Sequence, residues 1–304
     1  MACAVADRTA FVFAGGSSLG AIQVGMLEAL LAQGWRADLV VGASVGAINA
    51  AYFAGDPTPQ GVARLADIWR GMRRADVFPT PALRSLMRLL SRSEHLIDPG
   101  ALTRLLERHL PYQRLEQARL PCCIVATDLL AGVEVRLREG PLIPALLASA
   151  AIPGVFPAVN IGGRFVVDGG VASHTPLSAA VALGATRLVV LPTGYACALA
   201  APPRSAVAMA MHALNILISR QVSDAVRRYR TEVEVVVVPP LCPLNASPVD
   251  FAGGGALIDR ARRSTEAWLR DGESMSDGVP HQLPPHAHHV AGGTYGPLWL
   301  QSQE

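Results

Sequence analysis

Apolar residues recur along this chain with two alternating periods. Short β-branched runs separate longer stretches in which Leu, Ile, Met and Ala return every three or four positions. The runs at 9–14, 38–42, 121–127, 164–168, 187–191 and 232–238 read as strands. A further strand at 133–138, alternating Val133, Val135 and Leu137, forms a hairpin with 121–127. Helical spacing predicts helices over 20–33, 45–54, 60–73, 142–149, 176–183, 204–229 and 256–269. In the first, Ile22, Met26, Leu27, Leu30 and Leu31 share one face, and Gly34 supplies the stop. Such alternation predicts the α/β class: a three-layer α/β/α architecture with a mostly parallel central sheet.

Residues 78–120 break the pattern and predict two amphipathic helices, a candidate helical lid. In the first, over 82–92, Leu83, Leu86, Met87 and Leu90 form one line and Arg84, Arg88 and Arg92 another. The leucines suit packing on the body, and the arginine line suits an anionic lipid surface. The second helix is introduced by Asp98-Pro99, an N-cap followed by proline at the first helical position. The body is expected to span 1–270. The remaining 271–304, rich in Gly, Pro, His and Ser, reads as a loosely ordered tail.

With 304 residues, 51% of them hydrophobic and 16% charged, the chain can bury a full core. A formal charge of +2 argues against nucleic acid as a partner. All 26 basic residues are arginine, which excludes lysine nucleophile chemistry. Cys3, Cys122, Cys123, Cys197 and Cys242 are odd in number and lack CxxC spacing, so neither a disulfide framework nor a zinc site is expected. His281, His286, His288 and His289 suggest adventitious metal binding at most, while His95, His109 and His212 read as surface or core-edge residues. The first residues show no basic-then-apolar leader, and Ser44, Asn49 and the glycines break the apolar run 39–55 as a membrane span. A cytoplasmic location, peripheral on the membrane at most, is the expectation.

Three segments carry the chemistry. The first is Gly42-Ala43-Ser44-Val45-Gly46, between a predicted strand and an Ala-rich helix: a nucleophile elbow whose glycines, Gly42 and Gly46, let backbone pass closely. A single βα unit precedes it, fewer elements than an α/β-hydrolase places before its nucleophile. The second is Ala14-Gly15-Gly16-Ser17-Ser18-Leu19-Gly20, a Gly-rich turn at a helix start and a nest of N–H donors for an anion. It lacks both phosphate-loop patterns. An inorganic anion fits it, but an oxyanion formed during acyl transfer also explains the neighbouring serine. The third is Ser149-Ala150-Ala151-Ile152-Pro153-Gly154-Val155-Phe156-Pro157, followed by a strand ending in Asp168-Gly169-Gly170. A carboxylate there can accept the Ser44 proton.

Together, in this order, these motifs resemble the patatin-like phospholipase family over about residues 9–195. The resemblance implies a Ser-Asp dyad, with Ser44 as nucleophile and Asp168 as general base. It assigns the oxyanion N–H groups to Gly15, Gly16, Ser17 and Ser18, and it calls for no metal or organic cofactor. Two departures stand out: the loop has Ser17 for the family's third glycine and Leu19 for its arginine, and Ser173 and His174 stand where the family often has asparagines. His174, six residues beyond Asp168, could act as an accessory member of a Ser-Asp-His triad, or it could stand in for a capping asparagine before Pro176. The expected function is a serine lipid acyl-hydrolase with a lipid ester substrate, working through an acyl-serine and touching the membrane surface transiently. Acyl transfer by the same dyad and a catalytically weak lipid-binding protein are the alternatives. Oligomeric state is not readable from the sequence.

Overall fold

The computed structural model describes residues 7–79, 97–199, 206–248, 250–271, 279–284, 286 and 288. The apolar runs assemble into an eight-stranded sheet. β1 (Thr9–Phe13) pairs in parallel with β2 (Leu39–Ala43) and with β7 (Arg187–Leu191). β2 pairs in parallel with β3 (Cys122–Asp128), and β7 with β8 (Glu234–Val237). These five strands read as unbroken apolar runs because both of their faces are covered. On one face, Phe11, Phe13, Val40 and Ile124 join α1 (Gly20–Ala32), α2 (Val45–Gly55) and α3 (Pro59–Gly71) in the larger core. The alternate residues Ala10, Val12, Leu39 and Val41 face the smaller core.

The other end of the sheet is antiparallel. β4 (Glu134–Leu137) pairs with β3, as the hairpin reading expects. β6 (Arg164–Asp168) also runs antiparallel to β3, and β5 (Val159–Ile161) extends it. Sequence alternation did not indicate β5 or the direction of β6.

The single-turn α4 (Arg74–Val77) was likewise unpredicted. α5 (Gly100–His109) starts one residue later than expected: Pro99 is its N-cap rather than its first helical residue, and Asp98 Oδ1 accepts the Gly100 N–H at 2.8 Å from just before it. The predicted 82–92 helix lies outside the described residues. α6 (Leu142–Ser149) and the one-turn α7 (Gly170–Ser173) frame the site. α8 (Leu177–Ala182) and α9 (Ala206–Tyr229) cover the smaller core, and α10 (Gly254–Asp271) packs on α1. There Gly25 is essential, since a Cβ would lie 2.2 Å from the Ile258 carbonyl oxygen. Within the described part of 271–304, Leu283 is buried in the smaller core. Among the described residues, no helix is long and apolar enough to cross a membrane.

Candidate active site

The β2–α2 junction is the elbow that the sequence anticipates. Ser44 sits at φ 54° and ψ −129°, a backbone conformation that non-glycine residues rarely adopt. Holding it there costs of order 1–3 kcal/mol, which the surrounding packing must offset. The flanking glycines show why the turn closes this tightly. A Cβ on Gly42 would lie 2.3 Å from the Gly46 carbonyl oxygen, and one on Gly46 would lie 2.4 Å from those of Phe13 and Ala14.

Ser44 Oγ donates to Asp168 Oδ2 at 2.6 Å. Asp168 ends β6, and the antiparallel register that pairs it with Ala126 carries it to the elbow. Its Oδ1 accepts the Gly170 N–H at 2.7 Å, and its carbonyl accepts the Thr127 hydroxyl at 2.8 Å. Burial pushes its pKa up to about 6, against the lowering effect of the Ser44 and Gly170 hydrogen bonds. Gly169 is required for close passage, because a Cβ there would lie 2.2 Å from the Val125 carbonyl oxygen.

Ser149, quoted above only as part of a motif, proves to be a positioning residue. Its hydroxyl donates to the Val125 carbonyl at 2.6 Å and accepts the Ser44 N–H at 2.9 Å, tying the elbow to β3. A second buried network was also missed. Gln23 Nε2 donates to the carbonyls of Ala14 and Leu191, at 2.8 and 2.9 Å, bridging the ends of β1 and β7. Asn49 donates to Gln23 Oε1 and accepts from Trp69 Nε1, so α1, α2 and α3 share one hydrogen-bonded plug beneath the glycine loop.

The loop itself departs from the expected four donors. The Gly15 N–H is engaged with the His174 carbonyl at 3.0 Å, and the Ser18 N–H with that of Pro248 at 3.1 Å. Those two groups are unavailable to an oxyanion. Among the described residues, the N–H groups of Gly16 and Ser17 have no partner. Ser17 takes φ 53°, a left-handed conformation that the family's glycine would adopt without strain. Thr193 Oγ1 braces the loop by donating to the Gly15 carbonyl at 2.5 Å.

His174 stands apart from the Ser44–Asp168 pair. Its ring makes no hydrogen bond to Ser44 or Asp168, and it lies against Gly15, where an added Cβ would come within 2.8 Å of the ring. Burial pushes its pKa down to about 4, so it is neutral near pH 7. The capping reading fails, since Pro176 is the N-cap of α8 and no side chain caps it.

Two clefts meet at Ser17, Ser44 and Ile152. The larger, of about 770 Å³ including space open to solvent, is walled by apolar side chains such as Ile48, Trp69, Leu102, Phe156 and Phe251. His109, read from the sequence as a surface or core-edge residue, also lines it. The smaller, of about 560 Å³, is lined by Gly16, Asp168, Val171, His174 and Ile218. Outside these clefts the fold gathers Cys197, Cys242, His286 and His288. Their separation along the chain offers no spacing signature.

Residues 11–181 match the profile of the family described as Patatin-like phospholipase. An uncharacterized NTE family protein of Mycobacterium tuberculosis is 28% identical over 185 residues, 56% of this chain and 45% of that protein. Patatin-like phospholipase domain-containing protein 6 of Homo sapiens is 26% identical over 190 residues, 62% of this chain and 13% of that protein. The match thus spans less than half the length of either relative. Among solved structures, VipD from Legionella pneumophila aligns with a TM-score of 0.42 at 15% identity, over 86% of this chain and 67% of that one.

Proposed function

This chain belongs to the patatin-like phospholipase family, and from that premise we propose that it is a serine lipid acyl-hydrolase working through a Ser44–Asp168 dyad. The observation that carries the reading is the 2.6 Å hydrogen bond from Ser44 Oγ to Asp168 Oδ2, at the point where two clefts meet. Ser44 Oγ attacks the ester carbonyl carbon as its proton passes to Asp168 Oδ2. The Gly16 and Ser17 N–H groups receive the oxyanion, each worth on the order of 3 kcal/mol in the transition state. Collapse expels the leaving alcohol, which takes the proton from Asp168. Water, deprotonated by the same carboxylate, then releases the acid and regenerates Ser44. The apolar cleft suits the acyl chain, and the smaller cleft suits the leaving group. Mass spectrometry of a mixed lipid extract incubated with the protein tests this reading. Loss of acyl lipids with release of free fatty acid supports it, and an unchanged extract overturns it. Acyl esters of added alcohol in place of free acid would indicate transfer.

The pH profile separates a dyad from a triad. Asp168 must be ionised to accept the proton, and its pKa is raised to about 6. Turnover of a soluble ester should therefore climb with pH through about 6 and level off above it. His174 titrates near 4, below that window. His174→Asn should keep the limb and stay within about tenfold of the parent rate. A loss of about a thousandfold, as for a triad base, would overturn the dyad.

A lipid surface is the natural partner of apolar side chains exposed on the β3–β4 turn, β6 and α7. Leu130 is 85% exposed, Val171 54% and Phe165 49%, and the Leu129 N–H bonds the Phe165 carbonyl beside them. Val171 also lines the smaller cleft. Exposed apolar side chains of this kind favour insertion among lipid chains. Leu130→Asp combined with Phe165→Ser should lower hydrolysis of vesicle lipid while leaving a soluble ester unaffected. A parent-like rate on vesicle lipid would remove these side chains from the mechanism.

A further inference from the structure

We propose that Cys197, Cys242, His286 and His288 form a structural zinc site, which fastens the 279–288 segment to the loops following β7 and β8. The ligand atoms of all four side chains lie within 4.8 Å of one another. Cys242 Sγ stands 3.2 Å from both His286 Nε2 and His288 Nε2. A zinc tetrahedron with bonds of about 2.0–2.3 Å has edges of roughly 3.3–3.8 Å, so small side-chain rotations bring this group to that geometry.

The surroundings are those of a metal centre rather than a chance cluster. His286 Nδ1 donates to the Pro284 carbonyl at 2.9 Å, which fixes the tautomer and leaves the Nε2 lone pair facing Cys242. The Leu244 N–H donates to Cys197 Sγ at 3.3 Å, a bond that a thiolate accepts better than a thiol. Tyr195 fixes the His286 backbone, accepting its N–H and donating to its carbonyl at 2.9 Å. On binding, both cysteines lose their thiol protons to solvent. Two thiolates, two neutral imidazoles and one divalent zinc then make an electrically neutral centre, which suits a half-buried site. The tetrahedral sulfur–nitrogen donor set selects zinc over magnesium or calcium.

The position gives the clamp a purpose. The loop after β7 carries Thr193, which braces Gly15, and the loop after β8 continues to Ser247 and Pro248, which hold Ser18. Ala198 N–H and Leu244 carbonyl already join the two loops at 3.1 Å. Zinc would lock that junction and so set the loop that the proposed chemistry uses.

The test uses the full, untagged chain purified in reductant without chelator. Elemental analysis should find zinc at one per chain. Cobalt(II) substitution should give the visible bands of a tetrahedral site and a near-ultraviolet thiolate-to-cobalt band, neither of which depends on catalysis. Cys242→Ser and His286→Gln should weaken cobalt binding by more than the roughly 10–100-fold that loss of an outer hydrogen-bond partner costs. His281→Gln, an exposed histidine outside the cluster, should bind as the parent does. Cobalt spectra without the thiolate band, or equal losses in all three variants, would reduce the metal to adventitious histidine binding and overturn the proposal. So would a Cys197–Cys242 disulfide, or a chain that neither contains zinc nor takes up cobalt.

Discussion

Asp168→Asn should lower ester turnover by roughly 10³–10⁴-fold and, at neutral pH, make the protein more stable. Asparagine fits the space: its carbonyl can accept the Gly170 N–H while its amide donates to Ser44 Oγ. The geometry survives, but the serine proton has no acceptor. The stability gain follows from the raised pKa. Because the folded carboxyl holds its proton more tightly than the unfolded one, its contribution to stability is present below about 3.8 and is lost as pH rises through about 6. Above that, keeping the buried carboxylate ionised costs of order 2–3 kcal/mol, which the amide avoids. Thermal melts should therefore separate the variant from the parent at pH 7.5 and bring them together near pH 3.5. Ser44→Ala should reduce turnover and fluorophosphonate labelling to background, and the double variant should be no slower than either single one. Labelling at another serine with turnover retained would remove Ser44 from the mechanism. A variant destabilised at both pH values would assign the Asp168→Asn loss to misfolding.

Gly46→Ala should abolish activity without touching a reacting group. The added methyl would sit 2.4 Å from two carbonyl oxygens at the end of β1, and backbone atoms in a central strand cannot rotate away. Either the start of α2 lifts or the Gly15 loop moves, and each separates Ser44 from its partners. The expected cost is about 3 kcal/mol or more, the upper end for overpacking, with turnover falling to background. Gly71→Ala is the control, because nothing beyond its own helix backbone lies within 4 Å of its Cβ position and α3 should gain about 0.5–1 kcal/mol. Denaturant unfolding of both variants decides. A Gly46→Ala protein with parent stability and turnover would show that the elbow has slack.

Both effects involve residues that the sequence announces, and the contrast with those it conceals has a physical basis. The central strands were legible because burial on both faces leaves no polar position to interrupt them, as in Leu39–Ala43. β5 was not, since Val159-Asn160-Ile161 is three residues long and none of them is fully buried. The direction of β6 depends on how the chain returns from Ile152–Phe156 to the sheet, and hydrophobic period carries no direction. At the site, Ser44 and Asp168 stand within glycine motifs whose spacing reports backbone proximity. Ser149, Gln23 and Asn49 act through hydrogen bonds to distant partners, and such bonds leave no period in a sequence. For the same reason the sequence offered four loop donors where two remain free: His174 and Pro248 occupy the others from far along the chain.

Those distant partners give the chain an order of assembly. The family match ends at residue 181, after both Ser44 and Asp168, yet Thr193, Ser247 and Pro248 hold the loop opposite them from beyond that point. A nascent chain emerges from its N-terminus and can bring Ser44 to Asp168 well before β7, β8 and the following loop are made. At that stage the glycine loop lacks its outer braces. An acyl-hydrolase of the proposed kind would therefore complete its oxyanion loop only after the chain through Pro248 has docked.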